Sequence, residues 1–546
     1  MNTRSVKIKG EDDDSALNTQ SVKRRREDDA GSEITKDRLS QLPQPVLRNI
    51  LSLLSQKDAI RTSVLSKSWR YLWHGRLNVE FREFCFARKN NFWSFLDKTL
   101  QRYLDQNLSL QKFLVYIFHY DVDLVLLQKW IPVLIINMGI KSLNVLFCMN
   151  GIAFPLPLVV FQSESLVELH LQHLNLNTLQ STDNVMLKNL QTLRLHSVYI
   201  TDEIFDKIIS GCPLIENLDL LFCSGLKSIK LSKHYNIKNF ACTAHNEITV
   251  EIENPQTLES FRIQNCRDWF LRYKNTYFPH LKSLNLHSVK LPAKTFDNFS
   301  SLFPCLNELI LDSCRDLKDL WLFSSSIKRL IIRIDRINPG KSIKAFIDTP
   351  NILYFEYSGY GFLPLIKFTT TSHEWASDIS VWYKLKPSDN DSTIWFLKLN
   401  KLLEALSQSH ITLHLIPNKY KKLHINDSYG CFYEPVVVEH LRLSGYFPFS
   451  IIRAILICYF RVCRPRYISM DQHTNELSQF ICYLIPNNTG WGYSWLQDLE
   501  EVSVEVYDYK AEKWNCFRGT ILPELPIPQR YRFRLTWREQ LSNIPS

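Results

Sequence analysis

The sequence predicts an α/β chain of two unequal parts, a small helical docking module near the N-terminus and a long solenoid of strand-bearing repeats after it. Three observations carry this prediction. Residues 37–73 place apolar side chains at helical spacing and end on Trp69 and Trp73, two large rings four residues apart. From residue 140 onward a pattern of the form LxxLxL returns with its central residues 21 to 26 positions apart. A hydrophobic content of 45%, with 12% aromatics, fills a large core and excludes a mostly disordered chain.

In chain order, residues 1–34 come first and are polar. They carry acids at 11–14, the basic block Lys23, Arg24, Arg25 and Arg26, and then Glu27, Asp28 and Asp29. Such a segment buries too little apolar surface to offset its ordering entropy, so it reads as a disordered tail. The basic block, with Lys7 and Lys9 upstream, fits either a nuclear import signal or a solvated charge run. The N-terminus lacks the apolar stretch of a secretion signal, and no run approaches the roughly 18 apolar residues of a membrane span. The expectation is a soluble protein of the nucleus, the cytoplasm or both, with no membrane partner.

The module begins at Leu42 and Pro43. Val46, Leu47, Ile50, Leu51 and Leu54 follow at helical spacing, and Pro45 is tolerated in the first turn, where an N–H would have no helical acceptor. Asp58 is placed to cap a second helix that carries Ile60, Val64 and Leu65 and leads to Trp69 and Trp73. A segment of about forty residues cannot bury all of these side chains by itself, so some face inward and some face a partner.

Residues 35–80 resemble the F-box of plant proteins. The resemblance rests on the LP dipeptide, the TSVLSK core and the WRYLW end, which occur in that order. The sequence departs from the family at Gln44 and Val46, where acidic residues are common, and at Leu54 and Ser55, where Phe or Leu followed by Pro is common; these changes leave the apolar face intact. The resemblance implies docking onto the Skp-family adaptor of a cullin-RING ubiquitin ligase and, through it, association with the cullin and RING subunits. The implied adaptor-binding residues are Leu42, Pro43, Ile50, Leu51, Leu54, Val64, Leu65 and Trp69.

Residues 81–139 read as linking helices and a first repeat that caps the array. Phe92, Phe95, Leu96, Leu100, Tyr103 and Leu104 share a helical face, residues 111–118 form the first strand, and a helix covers about 123–137. Residues 140–365 carry the repeats. Their central positions are Leu143, Leu169, Leu193, Leu218, Phe240, Phe261, Leu284, Leu309, Leu330 and Phe355, at the period of leucine-rich repeats. Cys148, Cys223, Cys266 and Cys314 each fall three residues after the last strand leucine or its equivalent, where a small group sits inside the turn. The 13 cysteines are odd in number and scattered, which favours reduced thiols over a disulfide framework, and Cys458 and Cys463 lack a second pair at zinc-ligand spacing.

Residues 366–546 read as degenerate repeats and a closure. Strand-like alternation survives at 377–385, 410–416, 436–443 and 499–509, with the last two read as further repeats. Residues 451–463 read as a buried helix, 387–392 and 416–429 as long connections, and the stretch starting at Tyr531 as a closing strand.

In each repeat the leucines point inward, so the residues between them line the expected concave sheet of a horseshoe. The candidate target-binding residues on that face are Arg194, His196, Arg262, Arg329, Arg333 and Tyr354, with a basic lean at Arg329 and Arg333. His196 and His287 lie four repeats apart, roughly 19 Å at about 4.8 Å per strand, too far to share a metal. No cofactor or metal is expected. The sequence holds no phosphate loop, dinucleotide turn, HExxH or GxSxG, and the expectation is a non-catalytic receptor. The net charge of +10 is modest over 546 residues and no continuous basic stripe runs along the face, which argues against nucleic acid. The favoured reading is the substrate-recognition subunit of an SCF-type ubiquitin ligase holding a target protein on the array, and the alternative is a scaffold or regulator that does not direct degradation.

Overall fold

The structure, a computed structural model, describes residues 42–54, 62 and 76–538, the last apart from 87–88, 119–122, 150–153, 181, 232–235, 254, 267–275, 292–295, 297, 335–342, 361–362, 373, 384–388, 418–433, 445–448, 471–496 and 517–530. The chain divides into two compact units between His74 and Gly75. The first contains the helix Gln44–Leu53. The predicted tail, the second helix of the module with Val64, Leu65 and Trp69, and Trp73 lie outside the described residues.

The second unit is built on one large sheet. Its first parallel strands are Asn78–Arg82, Lys112–Ile117, Ser142–Phe147, Glu168–Gln172, Thr192–His196 and Asn217–Leu221. Asn239–Ile252, Ser260–Cys266, Ser283–His287, Glu308–Asp312, Arg329–Arg333 and Tyr354–Tyr360 continue it in the same sense. Ala376–Tyr383, His410–Pro417, Val436–Leu443 and Cys463–Met470 extend it further. The predicted central residues lie side by side without a slip, Leu143 beside Leu169 and onward through Leu193, Leu218, Phe240, Phe261, Leu284, Leu309 and Leu330 to Phe355. All ten are buried in a single continuous core. Because side chains alternate between faces along a strand, holding the leucines in register also holds the residues between them in rows on the other face.

A turn recurs at the end of these strands. His173, Ser197, Phe222, Asn265, Ser288 and Ser313 each adopt a left-handed backbone, with φ between 51° and 58°. The turn lets the strand's lateral bonding continue one residue further, as when the Ser197 N–H donates to the Leu221 carbonyl at 2.6 Å and the Ser313 N–H to Arg333 at 2.7 Å. The next residue drops into the core. There the predicted cysteine ladder appears: the thiols of Cys223 and Cys314 donate to the carbonyls of Leu195 and Leu286, each at 3.2 Å. Burial pushes both thiols up to about 12, so they stay protonated at neutral pH.

Several expectations are corrected. The array starts one strand before 111–118, because Asn78–Arg82 pairs in parallel with it. The helix Lys89–Asp105 buries Phe92, Leu96, Leu100 and Tyr103 as expected, but also Trp93, while Leu104 is exposed. Residues 389 onward, expected in a long connection, open the helix Asp389–Ala405. The expected helix at 451–463 is Phe449–Val462, and Cys463 already begins the last parallel strand. Leu499–Asp508, expected as a further repeat, instead runs antiparallel to Lys513–Cys516 and Tyr531–Trp537. Tyr531–Trp537 also pairs antiparallel with Cys463–Met470 and so closes the parallel series, as its sequence suggested. Among the described residues no helix is long and apolar enough to cross a membrane.

Candidate protein-docking surfaces

The first candidate surface is on the helix Gln44–Leu53. Pro43 precedes it with an extended backbone, and the Pro43 carbonyl accepts from the N–H groups of Val46 and Leu47 at 2.9 and 3.2 Å. Leu47 and Leu51, one turn apart, form the core of the small unit, and Leu42, Ile50 and Leu54 pack against them half-buried. Leu51, expected at the adaptor contact, is only 1% exposed, so it belongs to the small core and not to the outer face of the helix. Val46, Ile50 and Leu53 follow one another at i, i+4 and i+7 and form an apolar stripe beside that core. Leu53, which sequence reasoning passed over, is 86% exposed, and Val46 is 41% exposed. The signal was present in the spacing, since Leu53 stands seven residues after Val46, but a run of two leucines does not say which one faces outward.

The second candidate surface is the open face of the large sheet. One row along it is a polar side-chain ladder. Ser142 donates to Glu168 at 3.0 Å, Asn217 to Thr192 at 3.1 Å, Asn239 to Asn217 at 2.7 Å and Ser283 to Glu308 at 2.8 Å. The neighbouring rows bring together His170, His196 and Asp219. His170 Nε2 lies 3.1 Å from His196 Nδ1, and His196 Nε2 lies 3.4 Å from Asp219 Oδ2. With Asp219 accepting from Nε2–H of His196, the Nδ1 of a neutral His196 accepts from His170 Nε2–H. Burial, then the neighbouring His196 and Arg194, holds His170 down to about 4 and keeps its ring neutral at pH 7.

The structure separates the six predicted target-binding residues into three groups. Arg329 Nε is 3.4 Å from Glu308, and its guanidinium lies over the Tyr354 ring. Arg333 sits between Glu356 at 2.8 Å and Asp312 at 3.7 Å. The Tyr354 hydroxyl donates to Glu356 at 3.3 Å, and burial, followed by Asp378 and Glu356, pushes it up to about 12. The basic lean expected from Arg329 and Arg333 is therefore cancelled by acids on the adjoining strands. These acids were outside the pattern used to read single strands, because they lie 21 to 23 residues away in sequence. Between these two arginines on the same strand, Ile331 is buried although it occupies an outward position. Arg194 and Arg262 are exposed, and neither makes an ion pair among the described residues. His196 belongs to the histidine cluster and is only half-buried. Among the described residues no group of three or more His, Cys, Asp and Glu is arranged to hold a metal.

Comparison with known proteins follows the same division. A family model described as the F-box domain matches residues 39–79, and one described as the At1g61320/AtMIF1 LRR domain matches residues 106–372. The chain carries an F-box domain and a leucine-rich-repeat domain. This F-box/leucine-rich-repeat chain is 34% identical over 244 residues to the F-box/LRR-repeat protein At3g59200 of Arabidopsis thaliana, covering 41% of the chain and 45% of that protein. It is 31% identical over 281 residues to the putative FBD-associated F-box protein At5g22720 of the same plant, covering 50% of the chain and 54% of that protein. With the F-box/FBD/LRR-repeat protein At1g13570 it shares 34% over 194 residues, 35% of the chain and 45% of that protein. The chain thus spans about half the length of these curated relatives.

Proposed function

We infer that this chain is the substrate-recognition subunit of an SCF-type ubiquitin ligase, a non-catalytic receptor that binds a Skp-family adaptor through its F-box and a target protein on the repeat array. The reading is carried by the co-occurrence of two surfaces in one chain: an F-box helix with an apolar stripe at Val46, Ile50 and Leu53, and a long open sheet lined by polar side chains. Transfer of ubiquitin belongs to other subunits in such an assembly. The receptor contributes proximity, which raises the effective concentration of target lysines near the conjugating enzyme.

The test is affinity purification of the full chain from cells in which the proteasome is blocked. The adaptor and a cullin are expected together. Recovery of the adaptor without a cullin would favour the scaffold or regulator reading. In the same experiment Leu53→Asp is expected to lose the adaptor at unchanged thermal unfolding, because the side chain is almost fully exposed and buried apolar contacts at an interface often carry more than about 1 kcal/mol each. Wild-type recovery of the adaptor would overturn the assigned docking stripe.

On the array, Arg194 and Arg262 are the cleaner probes for an acidic target, since their guanidinium groups are free to pair with a carboxylate. Arg194→Glu with Arg262→Glu is expected to reduce target capture while the adaptor stays bound. Reversal of Arg329 would instead set a second carboxylate beside Glu308, and reversal of Arg333 a third between Asp312 and Glu356, and either would destabilise the sheet.

A further inference from the structure

Apart from the large sheet, three short strands form a second parallel sheet: Asp319–Phe323, Lys344–Asp348 and Leu365–Thr369. Alternation sends Leu320, Leu322, Ala345 and Ile347 into the common core, with Ile366 and Phe368 packed against it. The other face is a grid fixed by register. Trp321, Phe346 and Lys367 lie side by side in its middle row, with Asp319, Lys344 and Leu365 in the row before and Phe323, Asp348 and Thr369 in the row after.

Four of the nine side chains on this face, Trp321, Phe323, Phe346 and Leu365, are large and apolar. Trp321 is 56% exposed, and Phe323 and Leu365 are exposed as well. Trp321 stacks on Phe346 with ring centres 5.6 Å apart, and Phe323 approaches the same ring at 5.4 Å. Beside the stack opens a cavity of about 380 Å³, walled by Trp321, Phe346 and Leu365 from the sheet and by Lys401 from the helix Asp389–Ala405. Lys344 and Lys367 line it too, against the single carboxylate of Asp319. All three lysines are exposed, and none makes an ion pair among the described residues; Lys367 Nζ lies 5.5 Å from the centre of the Phe346 ring.

We propose that this cavity is a second protein-binding site, which takes an acidic peptide segment carrying an aromatic or large apolar anchor. The anchor enters against Trp321 and Phe346, where it adds to an existing stack, and flanking carboxylates meet Lys344, Lys367 and Lys401. Charge complementarity decides the class of occupant: three lysines against the one carboxylate of Asp319 leave the lining net positive, so an apolar segment without acids leaves that excess unanswered and a basic one is repelled. The site is separate from the open face of the large sheet and does not depend on the reading of that face.

The experiment is a fluorescence-polarisation titration of the full chain with a short labelled peptide of glutamates around one central tryptophan. The comparison probes are the same peptide with glutamines in place of the glutamates and a single-stranded oligothymidylate. The acidic peptide is expected to bind, and the neutral peptide about tenfold more weakly. Trp321→Ala and Lys367→Glu, both on the exposed face, are each expected to weaken the acidic peptide about tenfold while the unfolding temperature stays unchanged. If Lys367→Glu unfolds the chain, Lys401→Gln on the neighbouring helix supplies the same comparison. Equal binding of the two peptides, tighter binding of the oligonucleotide, or no binding of the acidic peptide would overturn the proposal.

Discussion

Folding partly buries the His170 imidazole and sets it beside His196 and Arg194, which lowers its proton affinity from the ordinary value of 6.5 to about 4. The unfolded chain therefore binds a proton between those two values that the folded chain refuses. Stability is fully present above about pH 6.5 and declines as the pH falls toward 4. His170→Gln is expected to flatten this part of the curve, measured as the unfolding temperature between pH 7.5 and 5. An unchanged slope would place the pH sensitivity elsewhere. At the same scale, Leu193→Ala and Leu284→Ala each remove a fully buried side chain from the strand core, and each is expected to cost about 2 to 5 kcal/mol in denaturant unfolding. The inward side of each strand was legible residue by residue, since a leucine at every second position identifies its own face. The partners of Arg329 and Arg333 were not, because an ion pair across strands depends on which repeats become neighbours.

Among elements, the turns hold the least legible feature of the repeats. The left-handed position is occupied by His173, Ser197, Phe222, Asn265, Ser288 and Ser313, residue types with no common preference for that backbone. At five of the six the turn residue's N–H donates to a carbonyl of the next strand, at His196, Leu221, Thr243, Asp312 and Arg333, and this lateral bond holds the conformation without a local signal in the sequence. Glycine is required in one turn for a different reason. Gly225 has φ +93°, and a Cβ there would lie 2.6 Å from the Ile200 carbonyl oxygen. Gly139, at φ +58°, has open space around it. Both alanine substitutions incur backbone strain of about 1 to 2 kcal/mol, but Gly225→Ala must also displace the neighbouring turn. Its unfolding temperature is expected to fall well below that of Gly139→Ala, and equal values would show that the turn yields freely. The central position fades for a related reason after Phe355. There Ser377 takes the leucine's place, buried, with its hydroxyl 2.7 Å from that of Ser409. A serine reads as surface until a partner for its hydroxyl is known.

For the whole molecule, the arrangement of the last strands decides how the sheet ends. Tyr531–Trp537 lies antiparallel between Cys463–Met470 and Leu499–Asp508, and its Trp537 indole donates to the Pro465 carbonyl at 2.8 Å. Arg532 binds Glu505 at 2.7 Å and lies over the rings of Tyr467 and Trp514, which fastens the closure to the final parallel strand. Removing residues 517–546 would bare the edge of Cys463–Met470, and an uncovered strand edge templates association with other chains. The truncated chain is expected to elute as large aggregates in size-exclusion chromatography, and a monodisperse product would show that the edge is protected in another way.

The sequence by itself determined that a small helical module precedes a repeat array, which residues of each repeat are core, and where the ladder cysteines fall. These properties follow from periodicity, and periodicity is local: spacing along the chain sets which face a side chain takes. Only the tertiary structure decided that Leu51 faces inward and Leu53 outward, that Arg329 and Arg333 are held by neighbouring acids while Arg194 and Arg262 are not, and that three strands make a second sheet with an exposed aromatic face. Each of these depends on which distant segments lie side by side, and that pairing is settled by the packing of the whole core, not by the residues of any one repeat.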